Sequence, residues 1–148
     1  MTTPDDAAQI ESLERAVAES PDDSKALVAL ANAYWLFGHG PEAVGELASR
    51  AIAADPANRA GWHLWALSES DPRQRVVRWQ QVSARFPTDD LARANVADNA
   101  ASLAGAEHDY SALGLAIATY EELLATAQHP QQRDALDAAI RKLKTWRF

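Results

Sequence analysis

Four histidines, His39, His63, His108 and His129, are the residues in this chain best suited to metal or acid–base chemistry. Metal binding needs histidines and carboxylates at one-turn spacing, but these four fall in separate segments, and there is no H-x3-H or HExxH. They read as surface or turn residues, although a fold could still bring two of them together. The carboxylate pairs Asp5-Asp6, Asp22-Asp23, Asp89-Asp90 and Glu121-Glu122 could serve acid–base work if their environments pushed the two pKa values apart. Most of them stand where helices start, and acids there suit the helix dipole. With no cysteine, thiol catalysis, disulfides and Cys-ligated metals are excluded. No G-x-S-x-G elbow, P-loop or dinucleotide fingerprint occurs, so the expectation is no catalytic residue, no metal site, no cofactor and no enzymatic activity.

Other residue groups point to binding. The five tryptophans could form a stacking platform, but Trp62, Trp65 and Trp79 fall on apolar stripes and read as core. Trp35 follows Tyr34 on one helix and is the aromatic expected to face a partner. Arg73, Arg75, Arg78 and Arg85 crowd one segment and read as a solvated helix face. A formal net charge of -7 opposes the counterion release that drives nucleic-acid and anionic-membrane binding, so neither partner is expected. The start of the chain lacks the basic residues and apolar run of a secretory signal, and no stretch nears the roughly 18 apolar residues of a membrane span. The expected compartment is the cytoplasm.

The elements that must position these residues are helices. Alanine supplies about 32 of the 148 residues and is the strongest helix former, whereas no alternating strand pattern is present. Proline and capping residues then divide the chain into about eight helices. The first runs from Asp5 to Ser20. The second follows a cap at Asp23 or Ser24, carries Leu27, Leu30, Ala31 and Tyr34, and ends at Gly38. The third opens at Pro41 and ends before Pro56. Asn58 caps a short fourth helix, and Asp71-Pro72 opens a fifth bearing Val76, Trp79, Val82 and Phe86. Thr88 caps a sixth that runs to about Leu103, followed by a loop elaboration around Gly105 to Asp109. Asp109 caps a seventh with a stripe of Tyr110, Leu113, Ile117, Tyr120 and Leu124. The eighth runs from Pro130 to about Trp146, with Leu136, Ile140 and Leu143 inward.

Helix pairs closing on proline at an interval near 34 residues mark a repeat architecture. The segment Leu27-x-x-Leu30-Ala31-x-x-Tyr34, Gly38, Glu42-Ala43, Ala51-Ile52-x-x-Asp55-Pro56 resembles a tetratricopeptide repeat. Trp62, Trp65, Ala66, Val82 and Pro87 carry a second, degenerate copy. Val96-Ala97 and Ala116-Ile117-x-x-Tyr120-x-x-Leu123-Leu124 carry a third. The resemblance implies an all-α, right-handed α-solenoid of stacked helical hairpins forming a single domain over 1–148. Its parts would be a half-repeat helix at 1–21, repeats at 24–56, 58–87 and 88–130, and a capping helix at 130–148.

Tetratricopeptide proteins typically bind peptide segments on the concave side lined by the first helix of each pair. The resemblance therefore implies a non-catalytic protein–protein interaction module whose partner is a protein or peptide. Its groove residues would be Lys25, Val28, Asn32 and Trp35 from the first copy, His63 and Leu67 from the second, and Asn95, Asp98 and Ser102 from the third. Asn32 matches the asparagine with which chaperone-binding members hold a C-terminal carboxylate. Their accompanying basic positions read here as Val28, Leu91 and Asn95, so that clamp is not supported. Two alternatives stand beside this reading: a homodimer formed through the terminal helices, including Trp146 and Phe148, and a helical enzyme or metal-binding domain using His63, His108 and nearby carboxylates.

Overall fold

The computed structural model describes residues 3–148. Its helices are α1 (Pro4–Glu19), α2 (Ser24–Leu36), α3 (Pro41–Ala54), α4 (Arg59–Leu67), α5 (Pro72–Arg85), α6 (Asp90–Glu107), α7 (Tyr110–Thr126) and α8 (Pro130–Lys144), with no strand among the described residues. Short polar side chains open most of them by accepting the unsatisfied amide protons of the first turn. Thr3 and Asp6 form a reciprocal capping box at α1, with both bonds at 3.1 Å. Asp23, Asp71 and Asp109 cap α2, α5 and α7. Proline holds the first position of α1, α3, α5 and α8, where a missing amide proton is harmless. Between α2 and α3, Gly38 and Gly40 adopt φ of 73° and 92°, a region in which other residues are strained.

The chain forms two compact units, Met1–Ser70 and Asp71–Phe148, and the division falls inside the segment expected as the second repeat. In unit 1, Leu27, Leu30 and Ala31 of α2 close on Val44, Leu47, Ala48 and Ala51 of α3, with Val17 and Leu64 completing the cluster. Ala31, Ala48 and Ala51 are fully buried, so these helices approach at the distance a methyl side chain allows. Gly61 brings α4 equally close to α3, since a Cβ there would lie 3.4 Å from that of Ala51. A buried polar knot ties three helix ends together. The Ser24 hydroxyl donates to the Ala51 carbonyl at 2.8 Å and accepts from Asn58 Nδ2 at 2.8 Å.

Unit 2 gathers Val76, Ala100, Leu103, Ala104, Ala112, Leu113, Ala116 and Leu143, with Ile117, Tyr120 and Trp146 packed against them. Arg133 donates to the Leu124 and Ala127 carbonyls at 3.0 and 2.8 Å, closing the end of α7 where carbonyls lack helical partners.

Several local expectations are corrected. Asp89, not Thr88, caps α6: its Oδ1 accepts the Ala92 amide at 3.2 Å, and the side chain is buried against the helix start. Helix α6 does not stop near Leu103. The residues read as a loop extend it to Glu107, and His108 ends it in the left-handed conformation. Asn58 occupies the cap position of α4 but makes no capping bond; its Nδ2 instead donates to the Ser24 hydroxyl, which turns the amide toward α2. On α7 the expected Leu113 is buried and Ile117 and Tyr120 pack against the core, but Tyr110 is exposed, and the small residues Ala112, Ala116 and Thr119 share the buried face with Leu123. Helix α8 ends at Lys144, leaving Trp146 beyond it.

Candidate partner-binding cleft

A helix that buries Leu27, Leu30 and Ala31 must turn the positions between them away from the core, because 3.6 residues make a turn. On α2 these are Lys25, Val28, Ala29 and Asn32. On α4, burial of Leu64 and Ala66 leaves Ala60, His63 and Leu67 on the corresponding face. Together with Asn58 and Leu64 these side chains line an open cleft of about 500 Å³ within unit 1. Its floor is apolar, formed by Val28, Ala29 and Leu64, while Lys25 and Asn32 stand exposed at its edge. No carboxylate lines it, although the chain as a whole is strongly acidic. It is therefore a place where apolar contact and amide or ammonium hydrogen bonds can act together on a bound chain segment.

Five of the six groove residues expected in unit 1 meet here: Lys25, Val28, Asn32, His63 and Leu67. Trp35 stands exposed on α2 outside that lining. In unit 2 the expected residues are more dispersed. Ser102 lines a smaller cleft of about 250 Å³ with Ala101, Tyr120, Ala139, Lys142, Leu143 and Trp146. Asp98 accepts a 2.5 Å bond from the Tyr120 hydroxyl, and burial, then this acceptor, raises the phenol's pKa. Asn95 donates to the Leu91 carbonyl of its own helix at 2.9 Å. The lining residues Ala29, Asn58, Ala60 and Leu64 were not singled out as groove residues. For Asn58 the available signal was its separation of 34 residues from Ser24, one repeat length.

The remaining chemical candidates hold structural positions. His39 stacks on Tyr34 with ring centroids 4.6 Å apart, and His108 stacks on Phe148 at 5.1 Å. Glu121 and Glu122 face Lys144 and Arg93 at 3.7 and 3.9 Å. Arg73 binds Glu107 and, at 3.0 Å, Asp109, which raises the guanidinium's pKa. Asp109 is held below the usual carboxylate range by the Ala112 amide first and by Arg73 second. Trp62 donates to the Pro56 carbonyl at 2.9 Å and meets Trp65 edge to face at 5.7 Å. Among the described residues, no three histidine or acidic side chains gather as metal ligands, and no helix is long and apolar enough to cross a membrane.

No family model matches the chain, and no curated protein matches it. Among solved structures it is similar to MamA, a tetratricopeptide-repeat protein, with a TM-score of 0.63 at 13% identity, covering 95% of this chain and 87% of that one. At so low an identity the likeness shows the fold alone, and that fold is all-α and tetratricopeptide-like.

Proposed function

We propose that the chain is a non-catalytic protein-binding module that holds a segment of a protein partner in the α2–α4 cleft of unit 1. The observation that carries this reading is the meeting of Lys25, Val28, Asn32, His63 and Leu67 on one open, carboxylate-free surface. In this reading the segment's backbone bonds to Asn32 and its neighbours, and its apolar side chains rest on Val28, Leu64 and Leu67. Trp35, exposed on α2, extends that contact in a longer partner, and Asn95, Asp98 and Ser102 of unit 2 form a separate proposed contact face of their own. The working frame is a single domain with repeats at 24–56, 58–87 and 88–130 closed by the helix at 130–148, acting in the cytoplasm without nucleic acid or membrane.

The test places a photo-crosslinking residue at position 67 and, as a control, at position 15 on α1. Adducts formed from position 67 in native lysate, absent from position 15 and reduced severalfold by Asn32→Ala, are the expected result. Equal adducts from both positions, or none from a protein of unchanged helical content, overturn the reading. Adducts only with a second copy of the chain would replace it with self-association.

A further inference from the structure

Beyond α8, the segment Thr145–Phe148 folds back over unit 2 rather than leaving it. The Trp146 ring lies over Gly105, where an added Cβ would stand 3.4 Å from two ring atoms. The Phe148 ring stacks on His108, with centroids 5.1 Å apart and planes 9° from parallel, and meets Tyr110 at 4.9 Å. The Phe148 amide donates to the Tyr110 hydroxyl at 2.7 Å, and that hydroxyl donates to the Phe148 carbonyl at 3.3 Å. Trp146 and Phe148 are two positions apart, as alternate side chains of a non-helical segment. The strap's other polar bonds run back to its own helix end and to itself: Thr145 and Trp146 donate to the Lys142 and Leu143 carbonyls, and the Arg147 guanidinium to those of Lys144 and Trp146.

The receiving surface carries a mark of its own. His108 is the one described non-glycine residue with positive φ, at 53°, in the position that Gly38 fills between α2 and α3. Glycine would hold this turn without strain, so the imidazole is retained at a backbone cost. Its ring forms the flat face on which Phe148 lies. Gly105 in turn leaves the surface of α6 low enough for an indole.

We propose that His108, Tyr110 and Gly105 form a receptor for a segment with two aromatic side chains two residues apart, and that Trp146–Phe148 is its displaceable, built-in occupant. A partner carrying such an aromatic-x-aromatic segment gains this surface by dislodging the strap. The site is separate from the unit 1 cleft and stands or falls independently of it.

The probe is a labelled peptide reproducing residues 144–148, titrated against the full chain and against Trp146→Ala/Phe148→Ala. A tethered segment competes as though present at about millimolar concentration, so the unmodified chain should bind the peptide at least about tenfold more weakly than the variant. Adding Tyr110→Ala to the variant should abolish binding, and a peptide with tryptophan and phenylalanine adjacent should bind severalfold more weakly. Absence of saturable binding to a variant of unchanged helical content, or equal binding by both chains, overturns the proposal.

Fluorinated Phe148 in the otherwise intact chain gives a second reading that needs no alanine-substituted receptor. Excess peptide should move its fluorine signal to the solvent position, and a signal unmoved at saturating peptide overturns displacement. His108→Gly separates the receptor role from a merely structural one. It should release the fluorine signal while leaving the melting temperature unchanged or higher, whereas a strap still seated would overturn the assignment of His108.

Discussion

Helix α2 of unit 1 and helix α6 of unit 2 follow the same plan at one constant offset. Asp23 and Asp89 cap them, Ala26 and Ala92 follow, and Leu30-Ala31 and Val96-Ala97 are buried. They differ in how they use Asn32 and its counterpart Asp98. Asn32 is exposed and makes no side-chain hydrogen bond among the described residues, whereas Asp98 is held by the Tyr120 hydroxyl. The cleft beside α2 measures about 500 Å³, while that beside α6, bordered by α8 and Trp146, measures about 250 Å³. One helical frame can thus leave a polar face open or use it up internally. The difference lies in which side chains the neighbouring helices supply, not in the frame.

The sharpest way to press the comparison is at Leu27 and its counterpart Arg93. Leu27 is fully buried, and Leu27→Ala should cost about 2–5 kcal/mol, read as a fall in the urea midpoint. Arg93 instead binds the Pro87 carbonyl and Asp90 at the surface, so Arg93→Ala should cost less than about 1 kcal/mol. Equal losses would mean that the two helices do not differ in what they bury at this position.

Tyr120→Phe tests the tie that closes the unit 2 face, with an expected loss of about 1 kcal/mol for one hydrogen bond. The phenol's folded pKa is raised above its ordinary value of 10.0. Its contribution is therefore fully present below pH 10.0 and lost as pH rises through the folded value. Denaturation followed from neutral to alkaline pH should show that loss in the unmodified chain and less of it in Tyr120→Phe. The same variant leaves Asp98 without its partner, so a crosslinker at position 102 should begin to report external segments.

The smallest effect concerns helix starts in acid. The carboxyls of Asp6 in unit 1 and Asp109 in unit 2 are both held below their ordinary value of 3.8, each chiefly by a backbone amide. What they contribute is present above pH 3.8 and lost as pH falls through the lower folded value. Protection of the Ser111 and Ala112 amides, measured as exchange relative to an unstructured chain at the same pH, should fall on acidification, and Asp109→Asn should flatten that response. The α1 start should respond in the same direction to Asp6→Asn.

Much of this was legible because it is local. The caps at Asp23, Asp71 and Asp109 and the proline starts are decided within one turn, and the resemblance to tetratricopeptide repeats pointed to Lys25, Val28 and Asn32 as groove positions beside the buried Leu27 and Leu30. The extension of α6 was hidden because Gly105 resembles a breaker. Its place within the helix makes sense only with Trp146 lying over it, which no local pattern records. The Tyr120–Asp98 bond and the strap on Tyr110 join residues 22 and 38 positions apart, with nothing in their immediate surroundings to announce them. The same distance explains why Asn58 read as a cap: its preferred partner, Ser24, comes from another helix pair.

The Ser24 hydroxyl has a consequence for how this surface can diversify. It pins the ends of α2, α3 and α4 at a single point, bonded to Ala51 and Asn58. The distance between α2 and α4 is therefore set at one edge of the cleft, by atoms that need not touch whatever lies along the rest of it. Lys25, Val28, Asn32, His63 and Leu67 can then be exchanged for other side chains without respacing the helices that carry them. Under the proposed reading, the segment that is bound can change while the spacing of α2 and α4 stays constant.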